Sequence, residues 1–210
     1  MKVIDGIREP ERAITEAVEL LQVKGGVFIY PTDTLYGFGA CATDEAGIER
    51  ITNIKGRKDD AVFSVLVGDH EMLLDIVVVR RECIPLLSRL PGPYTFIFPA
   101  RVPFPRKVMG HDGGVGVRMP DCELPLLIAK KTECPIITTS VNRTGESPLA
   151  DPEVIRETFG DSVDLFIDVG KIEGKASTII SCMGKKPALI RLGAGEIEFM
   201  GKLLASPESP

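Results

Sequence analysis

Apolar and polar positions alternate along this chain with two periods, and the period changes from segment to segment. Ala13, Ile14, Ala17, Val18, Leu20 and Leu21 recur at helical spacing, the signature of one buried helix face. Glu9-Pro10 predicts the start of that helix and Lys24-Gly25-Gly26 its stop, because Pro suits a first turn and Gly a last one. Residues 27–30 are then a short continuous apolar run, read as a buried strand. Thr43 or Asp44 predicts the cap of a second helix, with Ile48, Ile51 and Ile54 on one side. A strand is expected at 62–67, a helix at 71–77 capped by Asp69, and another helix around 83–90 that stops at Pro91-Gly92-Pro93. The β-branched and aromatic run 94–98 reads as a strand. The Pro- and Gly-rich stretch 99–114 reads as a loop, and its length points to function or mobility. Further on come a strand at 115–119, a helix at 124–131, a strand at 135–139 and a helix opened by Asp151-Pro152 that reaches Phe159. Strands at 164–169, 177–182 and 188–192 complete the pattern.

This order predicts an α/β fold: a single-domain, twisted, open mixed sheet flanked by helices, over residues 1–200, with a short disordered tail at 201–210. The sheet is mixed because the later strands follow one another too closely for every link to be a helical crossover. Hydrophobic content of 44% and charged content of 26% are those of an ordinary globular protein. No apolar run approaches the roughly 18 residues of a membrane span, and the N-terminus lacks a signal-peptide apolar region, so a cytoplasmic protein with no membrane partner is expected. The five cysteines are odd in number and form no CxxC pair. That composition predicts a reducing compartment, no disulfide framework and no structural zinc. His70 and His111 stand apart, with no cluster at metal-ligand spacing. A net charge of −5 speaks against non-specific coating of nucleic acid and leaves room for a local basic cleft.

Candidate chemistry lies where strands end. Pro31 stiffens the exit of the 27–30 strand and is followed by Thr32-Asp33-Thr34, then Leu35, Tyr36 and Gly37. In open α/β sheets, small ligands bind just past strand carboxyl ends; a polar turn bonded to its own backbone is the plain alternative. Lys55-Gly56-Arg57 follows the second helix. If the backbone there is extended, Lys55 and Arg57 form a two-pronged cation for a polyphosphate. A basic helix terminus is the alternative. Arg118 closes VGVR, Ser140 and Asn142 lie in TTSVNRTG, Ser177 and Thr178 open STII, and Arg191 and Gly193 lie in RLGAG. Together they predict one cleft of hydroxyls, amides and arginines, suited to an anionic nucleotide and a small polar substrate. Gly37-Phe38-Gly39-Ala40-Cys41-Ala42 matches a GxGxxA string, but PTDTLY intervenes between strand and glycines, against a dinucleotide turn. No GxxxxGK[ST] string and no Gly-x-Ser-x-Gly elbow occurs.

PTDTLYG, KGR, PGPYTF, VGVRMP, SVNRTG, STII and RLGAG, in this order and spacing, resemble the YrdC/YciO family over about 25–195. The resemblance implies a positively charged cleft in an open α/β fold and L-threonylcarbamoyladenylate synthesis: L-threonine, bicarbonate and ATP give threonylcarbamoyl-AMP and pyrophosphate. It implies Mg²⁺ with the ATP and a product passed to tRNA-modifying machinery. On it, Lys55 and Arg57 are expected to act on the ATP phosphates as the catalytic cations. Ser140, Asn142 and Arg191 are expected to bind the nucleotide, and Thr34, Arg118, Thr138 and Thr178 the threonine. Alternatives within the same resemblance are a module that contacts tRNA or double-stranded RNA, and a YciO-like nucleotide binder without synthase activity. Where many synthases read KGRPxxNPLIVH, this chain reads KGRKDDAVFSVLV, so that Ala61 stands at the Asn position and Leu66 at the His position. SVNRTGESPL likewise has Pro148 in a serine slot. The first of these stretches and PGPYTFIF resemble the YciO branch.

Overall fold

The computed structural model describes residues 1–56 and 62–205, with side chains described through Gly201. Arg57 and Ala61 lie outside the described residues. In chain order the elements are β1 (Lys2–Asp5), α1 (Pro10–Leu21), β2 (Phe28–Tyr30), β3 (Gly37–Gly39), α2 (Glu45–Lys55), β4 (Ser64–Leu66) and α3 (His70–Ile76). A 3-10 segment, Arg81–Arg89, leads to β5 (Tyr94–Pro99), β6 (Gly114–Arg118), α4 (Glu123–Thr132) and β7 (Ile136–Ser140). The last elements are α5 (Pro152–Phe159), β8 (Leu165–Asp168), β9 (Thr178–Ser181), β10 (Ala188–Arg191) and α6 (Glu198–Ala205). α6 takes in the first residues of the stretch expected as a tail.

The strands form one sheet in the order β1-β8-β2-β3-β7-β4-β6-β5-β9-β10. The pairs β1–β8, β8–β2, β4–β6 and β5–β9 are parallel, and the others antiparallel, so the sheet is mixed and open as the element order predicts. α1 and α4 cover one face, where Ile14, Ile128, Phe28, Tyr30, Leu66 and Ile136 share an apolar cluster. The larger cluster holds the opposite side of the same strands, including Val65, Val117 and Ile137, with Ile51 of α2 and Ile155 of α5. Side chains alternate across a strand, and β4 shows it: Val65 belongs to one cluster and Leu66 to the other.

Two short elements escape periodicity. Only Ile4 of β1 is buried, so that strand has no alternating pattern to read. β3 is Gly-Phe-Gly, paired antiparallel to β2. A Cβ on Gly39 would come within 2.4 Å of the Phe28 ring, so the glycine lets two strands pass with an aromatic ring between them. The GxGxxA string is therefore a strand, and PTDTLY is the link that reverses the chain from β2 into it. α2 is capped by Asp44, which accepts from Ala46 N and Gly47 N at 3.2 Å. Gly56 ends it at φ 58°, a left-handed conformation that glycine adopts without strain.

The cysteines require a correction. Cys41 and Cys134 form a disulfide across 93 residues, with Cα atoms 6.1 Å apart, where the count and spacing predict free thiols. The β3–β7 pairing brings the two together, a juxtaposition that no local spacing can reveal. The case for a reducing compartment therefore no longer rests on the cysteines. The 99–114 stretch is packed: Phe104 and Val108 are buried in the larger core, and Lys107 O accepts from Phe63 N at 2.7 Å.

Candidate functional site

Five consecutive strands of the sheet, β7-β4-β6-β5-β9, carry a cleft of about 210 Å³ beyond the cover of α1 and α4. Residues that share a register position share a face, so Ser64 stands beside Thr138, and Thr95 beside both Arg118 and Ile179. These side chains form the floor. Gly116 keeps it open, because a Cβ there would lie 2.7 Å from Ser64 Oγ. The link from β2 to β3 supplies Thr32 and Thr34 to one wall, and Ser177 and Arg191 supply the opposite one.

The wall from Pro31 to Tyr36 is a built turn. Thr32 Oγ1 accepts from Thr34 N at 3.2 Å and Leu35 N at 3.1 Å, and donates to Leu35 O at 2.7 Å. The turn is anchored at both ends. Tyr36 Oη donates to Gly170 O at 2.6 Å and accepts from Val169 N at 2.9 Å. Asp33 Oδ1 accepts from Arg118 Nη2 at 2.6 Å, and Oδ2 accepts from Asp121 N at 3.1 Å. Gly174 passes so close that a Cβ would meet Thr34 O at 2.1 Å, which brings the second half of the chain against this turn.

Arg118 is nine-tenths buried. It also donates through Nη1 to Thr34 Oγ1 at 3.1 Å, and its Nε has no partner among the described residues. The sequence offers Arg118 as an open fork for a carboxylate; in the fold, Asp33 already takes one arm. Arg191 donates to Ser177 O at 2.9 Å and has no acidic partner among the described residues. Burial, and then the like charge of Arg118, hold its guanidinium below the usual value. The two cations therefore feel each other across the cleft, and among the described residues no carboxylate lines it. Burial pushes the Tyr30 phenol up to about 12, opposed by its hydrogen bond with Thr138.

The fold brings together Thr34, Arg118, Thr138, Ser140 and Arg191, all of which line the cleft. Lys55 and Asn142 stand behind it. Lys55 is buried, not an exposed prong, and the backbone after it turns left-handed at Gly56 instead of extending. Its Nζ donates to Ser140 O at 2.6 Å, Asn142 O at 2.8 Å and Asn142 Oδ1 at 3.1 Å. Asn142 Oδ1 in turn accepts from Ser140 Oγ at 2.6 Å. The KGR and SVN motifs thus meet in one clamp that fixes Ser140. Thr178 is fully buried and absent from the lining. Its hydroxyl donates to Gly195 O at 2.6 Å and accepts from Gly193 N at 2.9 Å, holding the RLGAG loop to β9. Leu66, at the family's His position, lies fully buried in the α1–α4 cluster, in register with Arg118. Sequence reasoning places Asp33 in the candidate turn without a partner, and gives no role to Ser64 or Thr95. A signal exists for the last two, each a polar residue on one side of an otherwise apolar strand. For the pairing of Asp33 there is none, since its partner is 85 residues away.

The model of the Sua5/YciO/YrdC family, described as "Telomere recombination", matches residues 20–193. The chain is 30% identical to the "Uncharacterized protein YciO" of Escherichia coli (strain K12) over 90% of this chain and 92% of that one. It is 31% identical to the "Threonylcarbamoyl-AMP synthase" of Pyrococcus abyssi over 97% of this chain but only 61% of that protein. The crystal structure of P. abyssi Sua5 complexed with L-threonine superposes with a TM-score of 0.85 at 30% identity, covering 94% of this chain and 58% of that one. The chain therefore spans about three fifths of the Pyrococcus protein and nearly the whole length of YciO.

Proposed function

Since the chain belongs to the Sua5/YciO/YrdC family, we propose that it makes threonylcarbamoyl-AMP from L-threonine, bicarbonate and ATP, for tRNA modification. The observation that carries this reading is the cleft itself: a hydroxyl-rich floor, two guanidinium groups and, among the described residues, no carboxylate in the lining. In the proposed reaction the threonine amine takes up bicarbonate with loss of water. A carbamate oxygen then attacks the α-phosphate of ATP, and the bond to pyrophosphate breaks. Such a transfer needs alignment and charge neutralisation more than a protein nucleophile.

Arg118, Thr34 and Thr138 are assigned to the threonine end, where Asp33 holds the guanidinium in place. Thr178 is released from that assignment, its hydroxyl being spent on the loop behind. Arg191 and Ser140 take the nucleotide end, with Lys55 and Asn142 acting through Ser140. Arg57, from the KGR motif, is retained for the phosphates. A cleft of about 210 Å³ is too small to enclose ATP, so the nucleotide would extend past Ser140 toward that motif. Among the described residues no carboxylate lines the cleft, so Mg²⁺ would be held by the nucleotide's own phosphates, where it would neutralise charge on the leaving pyrophosphate.

The test is pyrophosphate release from ATP with and without threonine and bicarbonate. Release that needs both supports the synthase; release indifferent to threonine, or none, overturns it. One observation favours a second reading, a YciO-like nucleotide binder without the synthase activity. Leu66 places an apolar side chain beside Arg118 where many synthases carry a hydrogen-bonding one. That reading predicts ATP binding with no threonine response.

A further inference from the structure

One hydroxyl of the cleft is different from all the others. Thr32 is engaged in its own turn, Thr34 with Arg118, Thr95 with Ser177 at 2.8 Å and Ser140 with Asn142, while Thr138 stands beside the Tyr30 phenol. Thr139 has an interaction of its own. Ser64 Oγ has no hydrogen-bond partner among the described residues, yet it lines the cleft. It stands in the middle of the floor, next to Thr138 on one side and to the bare backbone of Gly116 on the other. A serine half-buried in an apolar strand, with its neighbour kept to glycine, leaves a donor and acceptor to be matched from the cleft side.

The family pattern sharpens this. NPLIVH becomes AVFSVL here, so the His position holds Leu66 and the Ile position holds Ser64. Both lie on the same face of β4, two residues apart. Of the two, Leu66 lies in the α1–α4 cluster and Ser64 in the open floor. The cations Arg118 and Arg191 draw the anionic parts of a substrate to the walls, and what faces the floor between them is its remaining polar group.

We propose that Ser64 is a specificity-determining residue that hydrogen-bonds the side-chain hydroxyl of a β-hydroxy amino acid, an inference that rests on the amino-acid site assigned above. It makes the cleft select threonine or serine over the isosteric valine, whose methyl group would leave Ser64 unmatched.

The experiment is calorimetric titration of wild type, Ser64→Ala and Ser64→Thr with L-threonine, L-serine and L-valine, each in the presence of ATP. Wild type is expected to prefer threonine to valine. Ser64→Ala should weaken threonine by about tenfold, the scale of one hydrogen bond, and leave valine unchanged. Ser64→Thr, which keeps the hydroxyl, should restore the preference. A merely structural serine would lower both amino acids together, so an equal loss overturns the proposal. No preference in wild type, or a preference that survives in Ser64→Ala, overturns it as well. A threonine preference that depends on Ser64 in a protein that releases no pyrophosphate would uphold this inference and sink the synthase reading, so the two can fail separately.

Discussion

At the scale of single residues, the charges that the sequence offers to ligands are partly spent on the protein itself. Lys55 looks, in KGR, like a cation free for phosphate; in the fold its ammonium satisfies the carbonyls of Ser140 and Asn142 and the Asn142 amide oxygen. Removing it strands those acceptors in a buried position. Lys55→Ala is therefore expected to lower the unfolding free energy by about 2–4 kcal/mol, read as an earlier midpoint in urea denaturation. An unchanged midpoint would return Lys55 to the role of an exposed prong. Arg118 carries a similar obligation. Arg118→Leu leaves the Asp33 carboxylate largely buried without its cation, a loss of about 3–5 kcal/mol where one partner of a buried pair is deleted. The double variant Asp33→Asn with Arg118→Leu should recover part of that stability while still lacking any threonine response. If the double variant is no more stable than the single one, the ion pair is not what holds the turn to β6.

At the scale of elements, what was legible in the sequence is what depends on local order. The helices from Pro10, Glu45 and Pro152 carry an apolar face and a cap or first-turn Pro, and each begins within a residue of where those signals put it. β3 was not legible, because a Gly-Phe-Gly strand has no alternation of its own and exists through its fit against the aromatic rings of β2. The disulfide was not legible for the same kind of reason: Cys41 follows one strand, Cys134 precedes another, and only their pairing joins them. It pins β3 and the start of α2 to β7, the elements that carry Gly37, Lys55 and Thr138 to the site. Closing a loop of 93 residues should contribute about 4–5 kcal/mol in the chain-entropy picture. A reductant is thus expected to lower the melting temperature by several degrees or more, and a Cys41→Ser, Cys134→Ser variant should melt low with and without it. Equal melting of the oxidised and reduced protein would show that the sheet alone holds these strands.

For the whole molecule, sheet order decided which motif residues became neighbours. VGVR and VFSVLV lie far apart in sequence but share one face because β4 and β6 pair in parallel. Thr178, in a matching motif, and Leu66, at a position where the chain departs from one, both miss the cleft, since one faces a loop and the other a helix layer. The same long-range order sets how the protein responds to alkali. Tyr30 lies in the α1–α4 cluster and Tyr36 in the other, so each side of the sheet contains a buried phenol. Burial pushes both up to about 12 from an ordinary 10.0. A phenol whose proton is held more tightly when folded stabilises the native state fully below the unfolded value, and that stability is lost as the pH rises through the folded one. The window is therefore pH 10 to about 12, with each tyrosine contributing on the order of 2 kcal/mol across it. Stability followed by urea midpoint should be flat through neutral pH as far as these two groups are concerned and fall steeply above pH 10. Tyr36→Phe loses its bonds to Gly170 and Val169 and should be less stable at neutral pH, but its decline above pH 10 should be shallower than that of the wild type. A variant that declines as steeply as the wild type would show that Tyr36 already titrates at its ordinary value, in contact with water, and that the anchor at this end of the turn is open in solution.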